Sequence, residues 1–69
     1  MGDKSEPLLA AEERLIEAAH AFGLMRKHGR YVHNGKTLSV DPVEQRALVP
    51  QLERHLLHCA KVLYEVSES

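Results

Sequence analysis

The stretch Arg54-His55-Leu56-Leu57-His58-Cys59 gathers the most chemically capable side chains of this chain. On a helix, His55 and Cys59 stand four residues apart and share a face, with His58 three residues from His55. Imidazole and thiolate at that spacing are competent ligands for zinc or copper. One helical turn does not complete such a site, and His20, His28 or His33 would have to supply the remaining donors from elsewhere. The competing reading makes Cys59 a small hydrophobe on a buried seam, with His55 and His58 on its flanks. That second reading is the one we expect, so neither a metal nor a cofactor is expected.

The His55-x3-Cys59 pair resembles the ligand pair of the copper-sensing repressor family, whose all-helical fold carries a similar His-x3-Cys. The resemblance covers about this one turn. The cysteine which that family uses as a third ligand has no counterpart here, and a β-hairpin does not belong in its fold. It therefore implies no more than a metal-responsive alternative built on His55 and Cys59.

A second cluster is basic. Arg26, Lys27, Arg30 and Lys36, interleaved with Tyr31 and His33, would contact phosphates or an acidic protein, with a hairpin acting as a wing. Only one helix precedes them, and no recognition helix rich in Arg, Lys, Asn or Gln is present, so nucleic acid is not the favoured partner. The plain alternative is charge complementing a helix end, plus lysine protecting a strand edge. Charge is unevenly spread: residues 1–25 carry −3, residues 26–46 carry +3, and residues 47–69 carry −1, within a total of −1.

Catalysis finds little support. Ser5 is better placed as a helix cap than as a nucleophile, Ser39 lies near no obvious base, and Cys59 falls on an apolar seam where a reactive thiolate is disfavoured. There is no phosphate loop and no glycine-rich fingerprint. The expectation is a protein that is not an enzyme.

The elements that position these residues follow from periodicity and punctuation. Ser5, Glu6 and Pro7 suit a helix start. Leu8, Ala11, Leu15, Ala18 or Ala19, Phe22 and Met25 then recur every three or four residues. Leu9, Ile16 and Leu24 widen the stripe, and Gly23 is a weak point. Arg26, Lys27 and His28 lead to Gly29, a helix-ending residue. Asn34-Gly35 predicts a hairpin over 30–40 that pairs His33 with Lys36, Val32 with Thr37 and Tyr31 with Leu38. Asp41-Pro42-Val43-Glu44 reads as an N-cap, a first-turn proline and a capping box. Pro50 predicts either a kink or a break, separating a short helix ending at Leu48 from a new one. Beyond it Leu52, Leu56, Cys59, Leu63 and Val66 form a heptad-like seam.

At 69 residues there is room for one domain whose core is thin. A single cysteine removes an internal disulfide, which leaves self-association as the commonest remedy. Glu12, Glu13 and Glu17 interrupt any leader-like apolar run, and no stretch suffices for a membrane span. A cytoplasmic location is expected from this and from the lone thiol.

The expected fold is mainly α: helix, β-hairpin, kinked helix (αββα), with residues 1–5 disordered and 6–67 forming the domain. The helices are expected to pack antiparallel, through Leu15, Ile16, Ala19 and Phe22 against Leu52, Leu56, Leu63 and Val66. Leu8, Leu57, Val62 or Tyr64 would meet a second subunit in a four-helix arrangement. The expected function is a small non-catalytic interaction or regulatory module, homodimeric, with an unidentified protein partner. A nucleic-acid-associated regulator and a metal-responsive protein are the alternatives.

Overall fold

The computed structural model describes residues 5–68. Residues 1–4, and the disorder expected there, lie outside them. Helix α1 spans Ser5–His28, strands β1 and β2 span Arg30–His33 and Lys36–Ser39, and helix α2 spans Pro42–Glu68. The two long helices lie against each other, joined by the two-stranded antiparallel hairpin.

Local chemistry explains each boundary. Gly29 takes φ +62° and its N–H donates to the Met25 carbonyl at 2.9 Å, which closes α1. A left-handed residue there suits glycine, which lacks the Cβ that disfavours this conformation. Asn34 and Gly35 take φ of 51° and 76°, the positive pair a two-residue hairpin turn needs. The resulting register sets His33 opposite Lys36, Val32 opposite Thr37 and Tyr31 opposite Leu38, as the turn predicts. At the start of α2, the Asp41 carboxylate accepts the Glu44 N–H at 2.8 Å, a side-chain N-cap.

Helix α1 runs through Gly23 without interruption. Helix α2 likewise runs unbroken through Pro50, so the break expected there does not occur. Of the two expected forms of interruption, only a bend inside a continuous helix remains compatible. The reason is where the proline sits. Pro50 and Arg46, whose carbonyl loses its intrahelical donor, are both exposed. Water can hydrate that carbonyl, and the seam is undisturbed.

The core is narrow. Ala11, Ala18 and Met25, seven residues apart on α1, are buried to 3%, 5% and 1% exposure, and Cys59 answers them from α2 at 7%. Ala11 and Ala18 each border a hollow with Cys59. Ile16 and Ala19, expected in this seam, instead face solvent, Ile16 at 67% exposure. Small residues won these positions because alanine lets two helix backbones approach closely, which a β-branched isoleucine would prevent. Leu15, Phe22, Leu52, Leu56, Leu63 and Val66 are all half-buried.

Candidate interaction surface

With a 100° step per residue, Leu8, Leu15 and Phe22 stand about 40–80° round α1 from the Ala11–Ala18–Met25 line. Val49, Leu56 and Leu63 stand at the same offset, in the same rotational sense, from the Cys59 line of α2. Because the helices are antiparallel, equal rotation in the same sense brings both rows to one side of the pair. All six side chains are half-buried. Ile16 and Leu9 stand about 160–180° round α1 from its seam line, and Leu57 and Tyr64 about 140–160° round α2 from Cys59, on the outer edges of the pair. These four are 55–67% exposed. On the shared side, one half-buried apolar row from each helix runs along the pair, with exposed Arg26, Glu12 and Glu53 beside the rows.

The opposite face sets polar side chains among Ala21, Val62 and the seam residues. Arg14 and Glu17 of α1 border hollows there together with His55, His58 and Cys59 of α2. Val62 borders one of these hollows. The hairpin also leans this way. Tyr31 and Val40 join Met25, Leu48 and Leu52 around an open groove of about 490 Å³, rimmed by Glu44 and Gln51. β1 lies against α1, while every residue of both strands stays exposed. The hairpin leaves the Leu15–Leu56 face uncovered.

His55 and Cys59 do come together, with Nε2 3.7 Å from Sγ. Cys59 is buried while His55 and His58 are exposed. Among the described residues, no group of three His, Cys, Asp or Glu side chains is arranged to hold a metal ion. His20, His28 and His33 therefore complete no such site. The geometry is that of a buried thiol with an imidazole beside it.

Arg26, Lys27, Arg30, Tyr31, His33 and Lys36 are all exposed and belong to the hairpin and the adjoining end of α1. With Arg46, this pole carries five cations against Asp41 and Glu44. The far pole holds Glu6, Glu12, Glu13, Glu65 and Glu68 against Arg14 and Lys61. The helix pair is thus electrically polar along its length.

One residue that sequence reasoning passed over holds the elbow. The Gln45 amide donates to the carbonyls of Met25 and Arg26. Its only advance signal is its place in the heptad series 45, 52, 59, 66, where a polar side chain interrupts an otherwise apolar line.

No protein-family model matches this chain, and no curated protein or solved structure is significantly similar to it. Function must be read from the surface alone. No helix among the described residues is long and apolar enough to cross a membrane.

Proposed function

We propose that this chain is a non-catalytic protein-interaction module that acts as a homodimer, working as a regulatory part in the cytoplasm. The observation that carries the reading is the pair of half-covered apolar rows. Leu8, Leu15, Phe22, Val49, Leu56 and Leu63 remain half-buried, and among the described residues Met25 is the only large side chain that is fully buried. Apolar rows left half-covered favour a partner, and a chain so short gains the core it lacks by covering them. Two helix pairs meeting face to face make a four-helix bundle. Sedimentation equilibrium from low to high micromolar concentration tests this. A dimer is expected, and a monomer at the highest concentration overturns it.

The basic pole supports a second reading, a nucleic-acid-associated regulator. Arg26, Lys27, Arg30 and Lys36 stand exposed together at one end, as phosphate contacts require. Binding to short duplex DNA or RNA that falls steeply with salt, and is lost on replacing Arg26, Arg30 and Lys36, is the expected result for that reading. Binding that ignores those replacements removes it.

A further inference from the structure

Two copies of this helix pair can meet face to face in parallel or antiparallel fashion, and the charges bordering the apolar face distinguish the two. Arg26 and Arg46 flank the apolar rows at the hairpin end, Glu53 near the middle and Glu12 toward the other end, all exposed. The net charge is +3 at the hairpin pole and −3 at the opposite pole. In a parallel pair, Arg26 and Arg46 of each copy face the same two arginines of the other. In an antiparallel pair, each basic pole lies over the partner's acidic one, twice by symmetry. Charges at an interface rim set orientation more than affinity, and like charges placed opposite one another select against a geometry.

We infer that the apolar face takes a second copy of this chain, docked antiparallel about a two-fold axis, with the hairpins at opposite poles. This rests on the homodimer reading above. The shape suits it. The molecule measures 47 × 23 × 14 Å. It is flat and elongated, so two copies can lie side by side along their length. The hairpin leans toward the opposite face, where Tyr31 and Val40 border the groove, so it does not obstruct the approach. An antiparallel two-fold contact is closed, which gives a dimer rather than a fibre. It also fixes a property of the assembly: two equivalent basic ends, roughly one molecule length apart and unable to pair with each other.

The test is the distance between spin labels at Lys36→Cys, near the hairpin tip, in a Cys59→Ala background, measured by double electron–electron resonance on the dimer. The expected separation is comparable with the 47 Å long axis. A dimer with labels well under half that distance overturns the antiparallel arrangement and leaves the homodimer reading standing. A monomer under the same conditions overturns both. If Cys59→Ala compromises folding, charge reversal with the native cysteine gives an independent answer. Arg26→Glu with Arg46→Glu should weaken dimerisation about tenfold at low salt. Adding Glu12→Arg should recover most of it. Unchanged dimerisation in the double variant, or no recovery in the triple, overturns the arrangement.

Discussion

The side-chain amide of Gln45, in the first turn of α2, donates to the backbone carbonyl of Met25 at 2.9 Å and to that of Arg26 at 3.1 Å. The last carbonyls of a helix have no intrahelical donor, and Gln45 supplies one from across the elbow. The same stretch is held by the Gly29 N–H on Met25 and the Val40 N–H on the Gly29 carbonyl. Helix end, hairpin base and second helix are thereby locked into one angle.

Replacing Gln45 with alanine should destabilise the fold by about 0.5–1.5 kcal/mol, because two hydrogen bonds are lost while the Met25 carbonyl keeps the Gly29 N–H and the exposed Arg26 carbonyl can be hydrated. Gln45→Glu should be worse, since a carboxylate then faces carbonyls at the negative end of a helix. Urea denaturation followed by circular dichroism measures both. Equal stability of Gln45→Ala and the native chain would show the clamp to be idle.

Gly29→Ala meets two obstacles. Its φ of +62° disfavours any side chain, and a Cβ there would stand 3.1 Å from the Gln45 Oε1. The backbone part costs about 1–2 kcal/mol. The steric part should vanish when Gln45 is also alanine, so the double variant should be less unstable than the two single effects combined. Strict additivity in a double-mutant cycle would refute the contact.

Pro50→Ala should stabilise the protein. It returns an intrahelical hydrogen bond at an exposed position in a continuous helix, where proline is disfavoured by about 3 kcal/mol relative to alanine. Part of that difference is already relieved by hydration, so a gain of about 1–3 kcal/mol is expected. A melting temperature that is unchanged or lower would mean the proline is needed where it stands.

Leu15→Lys and Leu56→Glu fall within the apolar rows themselves, where both side chains are half-buried in one copy of the chain. Each should abolish self-association while keeping the helical signal at low temperature. The native melting temperature should rise with protein concentration, as linkage to a dimer requires. That rise should disappear in either variant. Ala18→Leu is the contrast: it overfills the seam within one chain and should cost about 1–3 kcal/mol at any concentration. If both row variants sediment like the native dimer, the apolar face is not the interface.

Punctuation was legible before any coordinates. Asp41 caps α2, Asn34-Gly35 turns the hairpin in the expected register, and Gly29 ends α1. Each depends on groups within about four residues of one another, so residue type alone specifies it. Phase was not legible in the same way. The apolar stripe of α1 covers roughly half the helix, and its period fits a seam at Ile16 and Ala19 as well as one at Ala11 and Ala18. Only the approach of α2 chose between them.

The amino-acid sequence by itself therefore determined the elements, their ends, and an unequal distribution of charge that later proves to lie along one axis. Tertiary structure decided which small residues form the seam, that Pro50 faces water and is carried without a break, and that the hairpin leans over the face opposite the apolar rows. It also brought Gln45 to a helix end twenty residues upstream. The physical reason is range. Hydrogen bonds and dihedral preferences within a turn are local, whereas close packing is a bargain between surfaces distant in the chain, and neither surface shows its phase until the other is in place.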